Sequence, residues 1–481
     1  MSDVAIVGSG PNGLAAGVIM ARAGLSVDLY EAADEIGGGL RSKSLFEPGI
    51  VHDICSAVHP MAGASRFFRE FDLAVRGVEL ILPEVSYAHP LDGGRAGIAY
   101  QDLDRTCERL GADGERWRRL MGPLVERAES VVDLLLSDQR RVPADPMVAA
   151  LLPSRVLETG TPLSRRWFRE PEAAAMIAGL ASHAMARLPS LTAAAVGLLL
   201  GQLAHSSGWP IPRGGSQSIA DSMAADFRAH DGKLHTGSRI TDLRELRDAR
   251  AVLLDIGPRG LLDMAGSLLP RGYRRQLESY RYGPAAGKVD FLVSEPIPWA
   301  NPEVGRAGTV HLGGDQAETY RSETLVARGK RSARPFVLLS EPMVADPSRG
   351  EPGKRPVWAY CHLPHGDDVR PDDLVRNQIE RFAPGFSDTV LASRGVTASD
   401  LAAYNPNYVG GDIGTGALTP KQALARPVAR WNPFRTPLPG VYLCSAATPP
   451  GPGVHGMCGY FAAESALRRE FGIGEIPKLS G

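Results

Sequence analysis

The sequence is short of cysteine and of net charge, and each shortage excludes a class of protein. Its five cysteines are an odd number, lie far apart and form no Cys-x-x-Cys pair. This argues against a disulfide framework and a dithiol redox centre, and it favours a reducing compartment. The formal net charge is -1 at pH 7, so no overall field attracts nucleic acid or an anionic membrane. Nucleic acid is therefore not an expected partner.

Long apolar runs are also missing. The first apolar run, residues 4–7, passes directly into glycines and lacks the features of a secretory peptide. The most apolar later stretch, residues 191–204, is interrupted by polar residues and glycines and is too short to span a bilayer. We therefore expect a cytoplasmic protein without a transmembrane segment. Peripheral membrane contact and a homo-oligomer stay open, and no spacing of His, Cys, Asp or Glu predicts a metal site.

The residues that are present predict a large globular protein. The chain has 481 residues, of which 43% are hydrophobic and 22% are charged. This length exceeds what one core usually holds, so we expect two closely packed domains.

A glycine-rich turn follows the first predicted strand. Gly8, Gly10 and Gly13 form the pattern GxGxxG between that strand and an alanine-rich helical run. Such glycines allow a tight turn, close approach of a pyrophosphate, and packing of helix on strand. A second predicted strand ends at Glu31, where a carboxylate can bind a ribose 2'-hydroxyl and disfavours a 2'-phosphate. The predicted dinucleotide contacts are Gly8, Gly10, Pro11, Asn12, Gly13 and Glu31.

The segment after Glu31 resembles the family of phytoene desaturases, amine oxidases and protoporphyrinogen oxidases. In that family an acid, a Gly-Gly pair six residues later and a nearby arginine mark FAD, and here these are Glu31, residues 37–38 and Arg41. The resemblance implies that FAD is the cofactor and that the glycines pass close to its pyrophosphate and ribityl chain. The further contacts that it implies are Ala32, Gly38, Gly39, Leu40 and Arg41, with Ile240 near the adenosine end.

A similar strand, turn and helix start lies near the C-terminus, at residues 441–469. It looks most like the phytoene desaturase-related branch labelled pyridine nucleotide-disulfide oxidoreductase domain proteins, in which this segment lies against the flavin. Ser445 and Ala446 depart from the Gly-Asp or Gly-Glu that binds the ribityl chain in many flavoproteins. A second GxGxxG is missing, which disfavours disulfide reductase chemistry. The implied contacts are Ala446, Gly453, Val454, His455, Gly456 and Met457.

Four residues are candidate catalytic groups. Lys288 begins a strand that ends in Pro-x-x-Trp and resembles the amine-oxidase segment whose lysine holds a water against flavin N5. By family position His59 approaches the flavin edge, and His455 and Tyr460 approach it from the C-terminal side. Histidine can act as acid or base near neutral pH. The alternative is a lysine that reaches water from a sheet edge and histidines with structural roles only, which we also expect for His183 and His205.

These features predict a two-domain α/β fold. A Rossmann-like FAD-binding domain of the glutathione reductase type is expected to interleave with a substrate domain of antiparallel sheet plus helices. We assign residues 1–95, 205–260 and 425–481 to the FAD-binding domain and residues 96–204 and 261–424 to the substrate domain. The helical part of the latter is expected at 96–204 and the sheet at 285–365.

The resemblance implies dehydrogenation, with hydride passing from a substrate carbon to flavin N5 and oxygen or a quinone as the acceptor. The first hypothesis is a desaturase or oxidase of a largely apolar small molecule. The second is a flavin amine or amino-acid oxidase, which needs a polar or aromatic cage that the sequence does not reveal. The third is a non-redox isoprenoid-binding escort protein, since the related GDP-dissociation inhibitors keep this fold without flavin. Intact Gly8, Gly10, Gly13 and Glu31 argue against it.

Overall fold

A parallel sheet holds the two ends of the chain side by side. The computed structural model describes residues 2–138 and 142–480. Its strands are β1 (Val4–Val7), β2 (Val27–Tyr30), β3 (Ser42–Ser44), β4 (Val51–Asp53), β5 (Leu80–Ile81), β6 (Val85–Pro90), β7 (Ala96–Tyr100), β8 (Ile211–Pro212), β9 (Lys233–His235), β10 (Ala251–Leu254), β11 (Ala285–Val293), β12 (Ala307–Leu312), β13 (Val337–Ser340), β14 (Arg355–Leu363), β15 (Val390–Val396) and β16 (Val441–Leu443). The parallel sheet has five strands in the order β16-β10-β1-β2-β9.

Helices cover the parallel sheet and also build a separate bundle. They are α1 (Pro11–Arg22), α2 (Arg66–Phe71), α3 (Leu103–Arg109), α4 (Gly114–Val125), α5 (Ala128–Leu135), α6 (Pro146–Gly160), α7 (Pro171–Ser182), α8 (Leu191–His205), α9 (Gln217–Ala229), α10 (Pro258–Ala265), α11 (Arg271–Glu278), α12 (Gln316–Ala327), α13 (Asp372–Phe382), α14 (Phe386–Thr389), α15 (Ala398–Tyr404), α16 (Pro420–Leu424) and α17 (Met457–Ala466). Helix α1 packs against α9 and α17, while α4, α5, α6 and α7 pack around α8.

The first strand and helix follow directly from their residues. All four residues of β1 are buried, as a central strand of a parallel sheet requires. Pro11 occupies the first turn of α1, where its fixed φ suits a helix and its missing N–H costs nothing. The small residues of α1 are buried, so this helix can lie close to its neighbours. The predicted α/β class and Rossmann-like arrangement are confirmed.

A second sheet has seven strands in the order β15-β11-β14-β13-β12-β6-β7. Neighbouring strands are antiparallel except β6 and β12. One of its faces is aliphatic and packs on α13 through a core that includes Val310, Leu339 and Ala359. The residues that alternate with these along β12, β13 and β14, such as His311, Leu338 and Tyr360, lie on the opposite face.

The second sheet extends beyond the range that we expected for it. Strand β6 lies within residues 1–95, assigned to the FAD-binding domain, but it pairs with β7 and β12 of this sheet. Strand β15 lies past residue 365 and pairs with β11. Both strands pair with a strand far away in sequence, β6 with β12 and β15 with β11, so local patterns did not indicate that they belong to this sheet. Across residues 2–138 and 142–480, none of the helices combines the length and apolar character needed to cross a bilayer.

Candidate functional site

A large cavity is lined by residues of both sheets and has a volume of about 1010 Å³. One part, here called the nucleotide end, is lined by residues 7–12, 31–33, 38, 39, 41 and 238–241. The other part, here called the apolar chamber, is lined by residues of α8 and of strands β12, β13 and β14. The two parts are continuous, so a long molecule can occupy both.

The glycine-rich turn shapes the nucleotide end. A methyl group at Gly13 would collide with the carbonyl oxygen of Gly8, so α1 lies on β1 only because this position is glycine. A Cβ at Gly38 would lie 3.1 Å from the Cα of Gly10, so the second glycine segment crosses directly over the first. Asn12 lines the cavity, and its Oδ1 is buried without a hydrogen-bond partner in the described chain. The glycine turn and the start of α1 therefore form a cradle in which backbone N–H groups can bind a diphosphate.

Glu31 and Arg41 form a buried pair beside this cradle. One carboxylate oxygen of Glu31 accepts hydrogen bonds from the backbone N–H of Ser9 at 2.9 Å and from its hydroxyl at 2.5 Å. The other oxygen lies 3.4 Å from a guanidinium nitrogen of Arg41. The same guanidinium donates to the carbonyl oxygen of Glu35 at 2.7 Å and lies over the ring of Tyr404. Arg41 is therefore a buried residue of the cavity wall.

Asp255 is a residue of the nucleotide end that the sequence patterns did not indicate. It follows β10 directly, lines the cavity and accepts a hydrogen bond from the backbone N–H of Gly13 at 3.0 Å. Burial, with the nearby charge of Glu31, raises the pKa of Asp255 to about 7. The sequence did offer one signal for Asp255, because it directly follows a predicted strand and ligands of α/β sheets bind at the carboxyl ends of strands.

The C-terminal turn meets the N-terminal helix. A methyl group at Gly459 in α17 would collide with the carbonyl oxygen of Asn12, and one at Gly456 would lie 3.2 Å from the Cβ of Ala15. Glycine at both positions therefore allows α17 to lie directly on α1. The structure thus brings together the two distant segments that the sequence assigns to one ligand.

The predicted cofactor contacts divide into two groups. Those that line the cavity are Gly8, Gly10, Pro11, Asn12, Glu31, Ala32, Gly38, Gly39, Arg41, Ile240, Ala446, Gly453 and Val454. Those outside its lining are Gly13, Leu40, His455, Gly456 and Met457. Leu40 and Met457 belong to the hydrophobic core, and the two glycines serve close packing. The residues of the turns therefore form the cavity wall, and the predicted contacts outside the lining pack within the fold and hold the turns in place.

Of the catalytic candidates, His59 alone lines the cavity. Both of its ring nitrogens are engaged, Nε2 with the hydroxyl of Ser216 at 2.8 Å and Nδ1 with that of Ser56 at 3.3 Å. Burial lowers the pKa of His59 to about 4, so the ring is neutral near pH 7. These contacts fit the structural role that we gave as the alternative.

The other three candidates lie outside the cavity lining. Lys288 is buried and its ammonium is paired with Asp290. The ring of His455 accepts a hydrogen bond from the N–H of Met457 at 3.0 Å and contacts the carbonyl oxygen of Gly451, so it fixes the start of α17. Tyr460 belongs to the hydrophobic core, beneath the guanidinium of Arg66. Each of these side chains is used within the fold.

The apolar chamber is built from leucines, other aliphatic side chains and aromatic rings. Typical members of its wall are Leu136, Val196, Leu199, Leu200, Leu338 and Trp358. The charged residues that line the described cavity are Glu31, Arg41, Arg239, Asp255, Arg259, Asp263 and Asp412. Arg259 and Asp263 lie on α10, directly after β10 of the parallel sheet, and the Asp412 carboxylate accepts the N–H groups of Gly283, Gly414 and Gly416. The chamber wall formed by α8 and β12–β14 therefore carries no charge.

His183 is a second residue that the sequence patterns did not place in the site. It lines the apolar chamber, and its Nε2 lies 2.9 Å from Nε2 of His311. Its ring also contacts Trp209 edge-on. A single histidine in a helical region gives no signal of such a role, because its partner is 128 residues away in sequence.

Metal chemistry has no geometric support in the described part of the chain, where no three His, Cys, Asp or Glu side chains are arranged to hold an ion. A dinucleotide fits better. The glycine cradle suits a diphosphate, while the carboxylate of Glu31 and the unpartnered Asn12 Oδ1 are acceptors that suit hydroxyl donors such as those of a ribose. The continuous cavity leaves room for a further ring system beyond them.

Comparisons with known proteins agree with this geometry. Residues 6–71 match the NAD(P)-binding Rossmann-like domain family. The chain is 23% identical to pyridine nucleotide-disulfide oxidoreductase domain-containing protein 2 of Rattus norvegicus, over 97% of this chain and 93% of that protein. It is 28% identical to one of the polypeptides of limonene dehydrogenase from Castellaniella defragrans, over 24% of this chain and 22% of that polypeptide.

Solved structures share the fold over nearly the full length. Cyclohexylamine oxidase from Brevibacterium oxydans superimposes with a TM-score of 0.57 at 16% identity and covers 98% of both chains. At this identity the similarity shows the fold alone. The relatives and the fold together support the resemblance to flavin-type oxidoreductases and a flavin or nucleotide cofactor.

Proposed function

We propose that this chain, whose fold and relatives support the FAD-dependent oxidoreductase superfamily, binds FAD and dehydrogenates a largely apolar small molecule. The observation that carries the proposal is the continuity of the cavity from the glycine cradle to the apolar chamber. FAD would supply a hydride acceptor at flavin N5, and oxygen or a quinone would accept the electrons. The substrate carbon that gives up hydride would then lie in the chamber.

The residues at the two ends of the chain divide the binding of FAD between them. Gly8, Gly10 and the start of α1 would hold the diphosphate, and Glu31 would accept a ribose hydroxyl. Gly453 and Val454, which precede α17, would border the ring. The contact of α17 with α1 supports this division, because it fixes the distance between the two groups of residues.

The lining of the chamber supports an apolar substrate. Its leucines and aromatic rings offer buried apolar surface, and each square ångström that a ligand covers contributes about 25 cal/mol. The same side chains exclude water from the place where hydride leaves the substrate. Without a charged group on the wall formed by α8 and β12–β14, an ionic substrate would be buried unpaired there. Desaturation or oxidation of a neutral molecule suits this surface best.

A flavin amine or amino-acid oxidase is the second candidate. Two aromatic pairs line the cavity, Trp358 with Tyr360 at 5.2 Å between ring centroids and Tyr404 with Tyr408 at 6.5 Å. Aromatic faces can bind a cation, and the structural relative named above is an amine oxidase. The uncharged chamber disfavours this candidate, because a protonated amine would lack a carboxylate partner there.

The first experiment is to extract ligands from the purified full-length protein and identify them by mass spectrometry, together with an absorption spectrum. We expect stoichiometric FAD and a band near about 450 nm, as oxidised flavin gives. A colourless protein without flavin would overturn the proposal and favour a non-redox binding role.

The second experiment separates the two substrate classes. The holoenzyme is mixed anaerobically with limonene or with cyclohexylamine, and the flavin band is followed. Bleaching by the hydrocarbon and not by the amine supports an apolar dehydrogenase. Bleaching by the amine alone would replace the first candidate with the second. Reoxidation of the bleached protein by oxygen or by a soluble quinone then identifies the acceptor.

A further inference from the structure

The chamber-facing side of the seven-stranded sheet carries polar groups among its apolar ones. Thr309 and His311 are two residues apart on β12 and so lie on one face. His311 pairs across the sheet with Leu338, which lines the chamber with Thr309. Because Val310 between them belongs to the aliphatic core on the other face, the polar residues are confined to the side that a ligand would touch.

Thr309 offers an unused hydrogen-bonding group. Its side chain is only 3% exposed, it lines the chamber, and its hydroxyl has no partner in the described residues. A buried hydroxyl without a partner costs about 1–3 kcal/mol, so such groups are normally paired with protein, water or ligand. The hydroxyl of Thr192, at another part of the same cavity, instead donates to the carbonyl oxygen of Leu418 at 2.9 Å. Thr309 is thus a residue of the chamber lining whose hydroxyl has no hydrogen-bond partner among the described residues.

His183 adds a second polar group to the chamber lining. Its Nε2 bonds His311, and its Nδ1 makes no hydrogen bond to the residues that the structure describes. His311 has an unpartnered Nδ1, so it can hold its proton on either nitrogen. When His311 donates to His183, Nδ1 of His183 is a donor; when His183 donates, Nδ1 is an acceptor. The pair can therefore bond a ligand oxygen of either kind.

Both histidines are uncharged near pH 7. Burial lowers the pKa of His183 to about 3, and burial with the neighbouring histidines holds the pKa of His311 well below its ordinary value. A neutral imidazole and a hydroxyl match a neutral polar group. A carboxylate would need a cation, and an ammonium would need an anion, and the chamber wall provides neither.

We propose that the chamber takes an apolar molecule that carries one neutral oxygen, as a hydroxyl or a carbonyl, which is bound by Thr309 and His183. The proposal rests on the proposed function, since it names the substrate class of the same chamber. The aliphatic wall would hold the carbon skeleton, and the two polar groups would fix its orientation and register. Both residues are positioning residues for the substrate.

The test measures binding rather than turnover. Calorimetry of the full-length protein as purified gives dissociation constants for 2-heptanone, heptylamine and heptanoate, and heptane is measured by competition with the ketone. We expect 2-heptanone to bind about fivefold more tightly than heptane, as one added hydrogen bond allows. The amine and the carboxylate should bind more weakly than the ketone. Equal binding of ketone and alkane, or tightest binding of either charged probe, would overturn the proposal.

Variants locate the hydrogen bond. Thr309→Val keeps the shape of the side chain and removes its hydroxyl. It should therefore lower the affinity for 2-heptanone about fivefold and leave the affinity for heptane unchanged. Thr309→Ser should restore the ketone affinity. Thr389→Val is the matched control, because its buried hydroxyl donates to the carbonyl oxygen of Phe386 at 2.8 Å and the residue lies outside the cavity lining. It should leave the ratio of ketone to alkane affinity unchanged. A Thr309→Val variant that keeps the wild-type ratio would contradict the assignment.

The outcomes separate this inference from the proposed function. If the protein holds FAD but does not distinguish ketone from alkane, only the oxygen-binding inference fails. If it distinguishes them but contains no flavin, only the oxidoreductase proposal fails. His183→Leu provides a second check, because it should lower the ketone affinity while Thr309 remains intact.

Discussion

The nucleotide end and the apolar chamber belong to one cavity, but they are built in different ways. The nucleotide end is formed by backbone turns, in which Gly8, Gly10 and Gly13 lie within six residues of sequence. The chamber is formed by side chains of α8 and of strands β12, β13 and β14, which lie more than a hundred residues from that helix. A binding site made of a short turn is specified locally, whereas one made of distant faces depends on the whole fold.

The same difference extends to electrostatics. The nucleotide end contains the ion pair of Glu31 and Arg41, and the buried carboxyl of Asp255, whose pKa is raised to about 7. The chamber is lined by His183, which is neutral near pH 7, and by Thr309, whose hydroxyl is unpaired among the described residues. We therefore expect changes at the nucleotide end to alter the affinity for FAD and changes in the chamber to alter the substrate. The predictions below test whether the two parts can be separated in this way.

The largest effect is expected at Lys288, which pairs with Tyr360 across the seven-stranded sheet and lies on the same face of it. Lys288→Met leaves the buried carboxylate of Asp290 without its cation, which typically costs about 3–5 kcal/mol of stability. The double variant Lys288→Met with Asp290→Leu should recover most of that loss, because neither charge is then buried alone. Thermal unfolding of the single and double variants measures both values.

Rates in the double variant decide whether Lys288 also takes part in the reaction. Flavin reduction and reoxidation that stay slow after stability is recovered would assign it a role near the flavin. Wild-type rates in both half-reactions would make the lysine structural. Bound FAD should be unchanged in either case, since Lys288 lies outside the cavity lining.

The next effect is expected at Gly13. Gly13→Ala forces α1 away from β1, and such overpacking costs about 1–3 kcal/mol, so retained FAD should fall about tenfold or more. Gly272→Ala is the matched control, because an added methyl group there meets open space on α11. FAD per chain is measured after the protein is unfolded. Wild-type FAD content in the Gly13 variant would remove the turn from cofactor binding.

How far the sequence predicts the fold depends on this contrast between local and distant contacts. The GxGxxG turn with its strand, helix and terminal Glu31 was recognisable, because every part lies in one short stretch. The second sheet was expected at residues 285–365, and strands β11, β12, β13 and β14 do lie in that range. Strands β6 and β15 were not assigned to it, because their pairing with β12 and β11 joins residues that are far apart in sequence.

The site shows the same limit. The predicted turn at residues 453–456 does lie near α1, but the ring of His455 is used to hold the start of α17. The position of His455 in the sequence indicated which segments lie near it, but not the direction in which its side chain points. Thr309 and His183 could not be found, because alternation along β12 shows which residues share a face but not which face meets a cavity.

A bulky side chain in the chamber should separate substrate from cofactor. Ala195 in α8 lines the chamber and is partly buried, so Ala195→Phe fills space that a ligand would occupy. We expect an apolar substrate to reduce the flavin about tenfold more slowly at low concentration, a loss of roughly 1.4 kcal/mol, while FAD content stays at the wild-type level. Ala229→Phe at the exposed end of α9 is the control. Loss of FAD in the Ala195 variant alone would show that the two parts are not independent.

The smallest effect is expected from pH at Asp255, and it tests the nucleotide end. The pKa of this buried carboxyl is raised to about 7 from its ordinary value of 3.8, so the folded chain keeps a proton that the unfolded chain releases. Stability should therefore fall as pH rises from about 4 to about 7. Above that window the new negative charge lies close to the diphosphate cradle, so it should also lower the affinity for FAD by a small factor.

Asp255→Asn should remove both trends, because an amide does not titrate in this pH range. The fold should be kept, because the amide oxygen can still accept the N–H of Gly13. Melting temperature and FAD affinity of wild type and variant are compared at pH 5, 6, 7 and 8, with the apolar ketone as a probe of the chamber. The ketone affinity should be the same at all four values, because the chamber groups stay neutral throughout. A pH slope that survives in the variant would assign it to a group other than Asp255, and a parallel slope in ketone binding would show that the charge of the nucleotide end reaches the chamber.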